Sequence, residues 1–279
     1  MKHLLLALLF SVVSFSSMSQ ESKYPINYQI VYKHSYVKDS LNRDKKEEET
    51  MELLVGDNVT FFQAYNKGIR DSIIAAEDID HNKGITYAIQ SKTPFDLAYT
   101  IFHQNNMFTT RDSYISTLGR EKDNSYYQEK IVLHWDLLPD TDSIHGLLVQ
   151  KAQCKIGDLS WTAFFTPEIS LPYGPYKFAG LPGLILKVED NKGYFSFVIT
   201  NIVQKTAKIQ AFPTAEALKQ KLITPAQFLK NKYYYLDNRT IIDIENKNII
   251  ITDESYKQKA ILADQEALKK YNVWLEKFL

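Results

Sequence analysis

Alternating apolar and polar residues, cut at short intervals by turn-forming residues, constrain this chain more than any other feature of its sequence. Ile26, Tyr28, Ile30 and Tyr32 alternate with Asn27, Gln29, Val31 and Lys33, which is the period of a half-buried strand. Residues 51–55 and 59–65 flank Gly56-Asp57-Asn58, and residues 147–156 and 159–166 flank Gly157-Asp158. Residues 184–189 and 194–201 flank Asp190-Asn191-Lys192-Gly193. Loops this short join antiparallel neighbours, because a parallel crossover needs a dozen or more residues. Further strands are expected over 84–102 and 126–138, and a strand pair over 239–252 with Asn246-Lys247-Asn248 between its arms.

Helical signals come late. Thr224, Pro225 and Gln227 have the order of an N-cap, a first-turn proline and a capping-box partner. Thr214 is placed to cap a shorter helix through Leu222. After Asp253, the residues Ala260, Ala263, Ala267, Tyr271, Trp274 and Phe278 recur every three or four positions, an amphipathic stripe. The expected class is α+β, mostly antiparallel β: a large curved sheet or open half-barrel with a few helices, including a C-terminal amphipathic one. No linker-like composition interrupts residues 20–279, which read as one domain.

Residues 1–19 read as a cleavable signal peptide. Lys2 supplies the positive start, Leu4 through Phe15 the apolar run, and Ser17 and Ser19 the small residues before a cut at Gln20. Export to the periplasm or beyond is the expectation. The apolar run is shorter than the ~20 residues a membrane span needs, and no later segment reaches that length, so no span is expected in the mature chain. Formal charge is +0, and nothing in its distribution concentrates lysine and arginine as nucleic-acid binding demands. The one cysteine, Cys154, cannot form an internal disulfide and reads as a buried thiol.

Residues 161–190 run WTAFFTPEISLPYGPYKFAGLPGLILKVED. Within them Gly180-Leu181-Pro182-Gly183-Leu184-Ile185 matches the signature of the GLPGLI family letter for letter. Gly174-Pro175-Tyr176-Lys177-Phe178 precedes it, and Gln150-Lys151-Ala152 lies upstream. Over roughly residues 130–200 the chain resembles that family. The resemblance implies an exported bacterial protein of β-rich fold with no settled activity. The family often has a cysteine before the Gln-Lys-Ala triplet; here that position is Val149. Physically, Pro182-Gly183 suits the centre of a type II turn, and Gly174, Pro175 and Gly180 add further backbone punctuation. Two readings follow: a lip over a ligand cavity, or a structural corner that plugs the open sheet with Leu181 and Phe178.

No GxSxG elbow, HExxH helix, P-loop or dinucleotide fingerprint is present, so no cofactor is expected. His134 and Asp136, with Asp140, Asp142 and His145 close behind, offer metal-ligand chemistry or a solvated loop. Glu168 and Glu189-Asp190 are carboxylates near the signature, while His34, His81 and His103 stand alone and read as surface residues. The leading expectation is a binding or carrier protein with an apolar cavity between the concave sheet and the C-terminal helix. Trp135, Trp161, Tyr176, Phe178 and Leu181 would line it around an apolar, lipid-like small molecule. A hydrolase or metal-dependent enzyme built on His134, Asp136 or Glu168 is the second reading. An accessory subunit of an outer-membrane protein is the third.

Overall fold

The alternating stretch near the N-terminus becomes one long strand, β1 (Lys23–Val37), around which the fold is arranged. The structure, a computed structural model, describes residues 23–76, 89, 91–112, 125–210, 222–247 and 249–275. After β1 come β2 (Lys46–Val55), β3 (Val59–Ala64), α1 (Tyr65–Ala76), β4 (Thr100–Gln104), β5 (Met107–Asp112) and β6 (Ser125–Glu129). Then follow β7 (Asp136–Ile144), β8 (Leu147–Ile156), β9 (Leu159–Thr166), β10 (Leu184–Asp190), β11 (Phe195–Gln210) and the short β12 (Leu222–Ile223). Three helices close the described chain: α2 (Pro225–Asp237), α3 (Arg239–Glu245) and α4 (Glu254–Lys270).

Among the described residues the strands form one 12-stranded sheet in the order β12-β6-β5-β4-β3-β2-β1-β11-β10-β9-β8-β7. Among the described residues only the β12–β6 pair is parallel. The fold is therefore mostly antiparallel β with an open sheet, as the alternation and short turns require. The β1–β11 pairing shifts register between Ile26 and Tyr28 and again between Val31 and Tyr32, and such bulges bend and twist a strand. Two hairpins close on two-residue loops with both φ positive: Asn105 and Asn106 (51° and 59°), and His145 and Gly146 (51° and 80°). That is the type I′ geometry that matches strand twist.

The connection between β9 and β10, residues 167–183, shows how far the sheet curls. Its Lys177 pairs with Glu129 on β6. Six strands lie between β6 and β10 in the sheet order, so a flat sheet at ~4.8 Å per step would hold them roughly 34 Å apart. The connection lies inside the hollow. Tyr176 meets Tyr99 edge-on at 5.6 Å, Tyr173 meets His103 at 6.1 Å, and Trp135 donates to the Ala179 carbonyl at 2.9 Å. Phe178 and Leu181 are buried in the core with Trp161 and Phe197.

The signature turn differs from the sequence expectation. Gly183 has φ of 157°, not the ~+80° of a type II turn. Its N–H instead donates to the Leu181 carbonyl at 2.8 Å, a three-residue turn centred on Pro182, whose ring fixes the φ such a turn uses. Glycine is required at 183 because a Cβ there would collide with the Thr166 carbonyl. The strongly positive φ belongs to Gly180 (92°) and, at a steric cost, to Tyr176 (56°).

Other segments also depart from expectation. Residues 239–245 are helical, not a strand. Thr240, Ile241 and Ile242 form too short an apolar run for its period to distinguish the two. The deciding group is Asp264 on α4, which accepts the Thr240 N–H at 2.7 Å and a hydrogen bond from Arg239 at 2.9 Å. Lys247, with φ of 56°, follows the end of that helix where a hairpin turn was expected, and Ile249–Ile251 pair with no strand among the described residues. The expected strand over 126–138 is broken: β6 ends at Glu129 and β7 begins at Asp136. Of 84–102, only Thr100 onward is strand among the described residues. Residues 211–221, with the expected Thr214 helix, lie outside the described residues. Helix α2 starts at the expected cap, with the Thr224 hydroxyl accepting from the Gln227 N–H at 3.1 Å, but the Gln227 side chain donates to Asn231 at 2.6 Å instead of completing a capping box. Helix α4 stops at Lys270, so Trp274 lies beyond it. Among the described residues no helix is long and apolar enough to cross a membrane.

Replacing Lys177 by alanine is expected to lower unfolding free energy by about 3 kcal/mol, since it strands Glu129 without its buried counter-ion. Urea denaturation of Lys177→Ala against the unaltered chain measures this; a loss under 1 kcal/mol would mean the pair does not tie the sheet.

Candidate functional site

The tail after α4 folds back onto the end of β1. The N–H groups of Asn272 and Val273 both donate to the Lys38 carbonyl, at 2.9 and 3.2 Å, and the Asn272 side chain accepts from the Ser40 N–H at 3.0 Å. With α2 and α4 it roofs a cavity of about 530 Å³ whose floor is β1, β11 and the Asp96–Tyr99 segment. That volume lies within the range of small-molecule sites. The floor presents His34, Tyr36, Tyr99 and Phe195; the roof presents Leu236, Leu268, Val273 and Trp274. Most of the lining is apolar or aromatic.

Among the described residues, the charged groups at the cavity come in opposed pairs. Lys38 meets Asp96 at 2.9 Å, Lys232 meets Asp112 at 3.7 Å, and Arg239 meets Asp264 at 2.9 Å. Lys232 also lies over the Trp274 ring at 5.2 Å. Asp264 is almost fully buried and joins α3 to α4 through Arg239 and Thr240 as well as edging the cavity.

His34, read from sequence as a surface residue, is instead a buried imidazole of the floor, because it continues the inward face of β1 after Ile30 and Tyr32. Its ring stacks on Phe197 at 3.9 Å and on Tyr36 at 5.0 Å. Nδ1 lies 3.0 Å from the Ser196 carbonyl, so that nitrogen carries the proton and Nε2 is left as the acceptor. Burial lowers the pKa to about 4, with the Ser196 carbonyl opposing only in part. The ring is neutral across the ordinary pH range.

The residues singled out from sequence fall elsewhere. Trp161, Tyr176, Phe178 and Leu181 are buried in the core: Trp161 packs on Phe178 at 4.7 Å and on Phe195 at 6.1 Å. Trp135 is half-buried against Phe178 at 6.4 Å. None of the five lines the 530 Å³ cavity; Tyr176 touches its wall through Tyr99, and Trp161 through Phe195. Gly174, Pro175, Gly180, Pro182 and Gly183 all belong to the connection that fills the hollow. At Gly174 an added Cβ would stand 2.8 Å from the Ile185 side chain.

The metal-type candidates are not brought together. His134 and Asp136 are exposed where β7 begins, and His145 sits in the turn at its far end, roughly 25 Å along the strand, against the Ile199 carbonyl at 3.1 Å. Among the described residues no group of three or more His, Cys, Asp or Glu could hold a metal ion. Glu168 accepts the Leu148 N–H at 3.1 Å, and Asp190 accepts from the N–H groups of Lys192 and Phe195 at 2.8 and 2.6 Å, so both serve turns. Glu189 pairs with Lys187 at 2.9 Å. Burial pushes the Cys154 thiol up to about 12, with Asp136 adding to the shift, which keeps it protonated and poorly nucleophilic. His103 stacks on Phe108 at 4.1 Å, and His81 lies outside the described residues. The cavity residues His34, Tyr36, Leu236 and Leu268 were not read from sequence as a site. The one available signal was a histidine on the apolar face of a central strand.

Comparison with known proteins adds little chemistry. Residues 88–187 match the model of a family described as a protein of unknown function, Porph_ging. The match covers about a third of the chain and includes the segment from Gly174 to Ile185. No curated protein matches. Among solved structures, PNGF-II in space group C2 shares 14% identity over 73% of this chain and 31% of its own, with a TM-score of 0.43. PNGF-II in space group P21 shares 14% over 71% and 31%, with a TM-score of 0.44. The chain thus spans about a third of the length of those proteins, and the likeness is one of fold alone.

The buried His34 makes stability depend on pH. Its folded pKa of about 4 lies below the ordinary value of 6.5, so between these the unfolded chain binds more protons and stability falls as pH falls. The loss approaches about 3 kcal/mol for a shift of this size. Denaturation midpoints of the native chain and of His34→Phe from pH 7 to 4 check it. The difference between them should shrink or reverse toward acid; a constant difference would refute the assignment.

Proposed function

We propose that this chain is an exported binding or carrier protein for an apolar small molecule, held between the concave sheet and the C-terminal helices. The observation that carries the reading is the cavity of about 530 Å³ with a largely aliphatic and aromatic lining and with its charges already paired. Such a lining favours an apolar occupant, at ~25 cal/mol for each Å² of ligand surface withdrawn from water. Export is supported by the order of residues 1–19, and the GLPGLI spelling at 180–185 by the overlap of that segment with the uncharacterised family.

Displacement titration of a neutral fluorescent apolar probe tests the reading. Leu268→Trp, which puts a larger ring into the roof, is expected to weaken probe binding about tenfold or more, with the melting temperature held within a few degrees. Equal binding by both proteins, or none by the unaltered chain, would sink it. For export, N-terminal sequencing of the protein recovered outside the cytoplasm is expected to begin at Gln20.

A further inference from the structure

The carrier reading leaves open what kind of apolar molecule the cavity takes, and its polar atoms narrow the choice. Lys38, Lys232 and Arg239 each face a carboxylate, Asp96, Asp112 and Asp264 respectively. Among the described residues, three cations against three anions leave no net charge to receive an ionised headgroup, and burying an uncompensated ion is costly. His34 differs. It is 2% exposed, forms part of the cavity wall, and has one nitrogen engaged, Nδ1 with Ser196. Phe197 covers one face of the ring. Nε2, on the remaining edge, has no hydrogen-bond partner among the described residues, and its lone pair can only accept.

We propose that the cavity's ligand is a neutral apolar alcohol or phenol whose hydroxyl donates a hydrogen bond to His34 Nε2. This rests on the carrier reading and deepens it. The geometry discriminates among headgroups. A carboxylate would set oxygen lone pairs against the Nε2 lone pair. An ammonium would enter without a free counter-ion. An ether or alkane would leave Nε2 unpaired, and a buried acceptor without a donor weakens a complex. Burial keeps the imidazole neutral, so the acceptor is present at ordinary pH. The hydroxyl would lie at the floor, beside Tyr36 and Phe195, with the hydrocarbon body toward Leu236, Leu268 and Trp274.

The test uses the full mature chain, unaltered and as His34→Phe, which keeps a flat ring for stacking and removes Nε2. Dodecan-1-ol, its methyl ether and dodecanoate each compete with the neutral fluorescent probe. The unaltered chain is expected to bind the alcohol about tenfold more tightly than the ether, and dodecanoate least. His34→Phe is expected to bind alcohol and ether equally. Equal affinities in the unaltered chain, or tighter dodecanoate, would overturn the hydroxyl inference and leave the carrier reading standing. Failure of all three ligands and the probe to bind would overturn both. Should His34→Phe not fold, ¹⁵N-histidine spectra of the unaltered chain decide. The Nε2 resonance should move on adding the alcohol and stay on adding the ether; the same response to both would reject the assignment.

Discussion

Lys177 reaches across the hollow of the sheet to Glu129, and the shape of the molecule depends on that reach. An open sheet of this breadth has a large apolar inner face that must be covered. The chain covers much of it with its own β9–β10 connection, carrying Tyr176, Phe178 and Leu181 into the core. A lysine that is 2% exposed needs a counter-ion, and Glu129 supplies it from the far half of the sheet. The ammonium also lies 4.9 Å from the Tyr127 ring and 5.0 Å from that of Tyr176. Those contacts help hold Tyr176 at a positive φ that a bulky side chain avoids.

Once the connection fills one part of the hollow, the remaining inner surface is left for the helices. They do not close down completely. Asp264, carried by α4, accepts hydrogen bonds from Arg239 and the Thr240 N–H, which sets α3 against α4. The tail beyond α4 is pinned to the Lys38 carbonyl. The space between this roof and the β1–β11 floor is the cavity. Its floor is central sheet, where His34 stacks on Phe197 and on Tyr36. A site of this kind can select a ligand through a single directed acceptor in an apolar setting, because a hydrogen bond is stronger in surroundings of low polarity.

Much of the architecture was legible because hairpins are local. Gly56-Asp57-Asn58, Gly157-Asp158 and Asp190-Asn191-Lys192-Gly193 each close the hairpin their sequence suggests, and Thr224 caps the helix it precedes. The Asn105-Asn106 and His145-Gly146 turns follow the same rule and were not singled out. Legibility failed where a neighbour distant in sequence decides. Thr240-Ile241-Ile242 have strand-like side chains, yet Asp264 and α4 make them helical. Pro182-Gly183 suits a type II turn, yet the Thr166 backbone beneath Gly183 imposes a tighter one. Trp161 and Phe178 announced an aromatic cluster. Sequence could not say whether aromatic rings face a cavity or one another, and these face one another.

By itself, then, the sequence determined the antiparallel β class, most strand partners next along the chain, and the turn chemistry that joins them. Period-2 alternation and short loops act over a few residues, and those residues are adjacent in the chain. The tertiary structure alone decided how far the sheet curls, which aromatic side chains fill its hollow, and where a cavity remains. These follow from contacts such as Lys177 with Glu129 and Asn272 with Lys38. Their partners are far apart along the chain and come together only when the whole inner face of the sheet is covered.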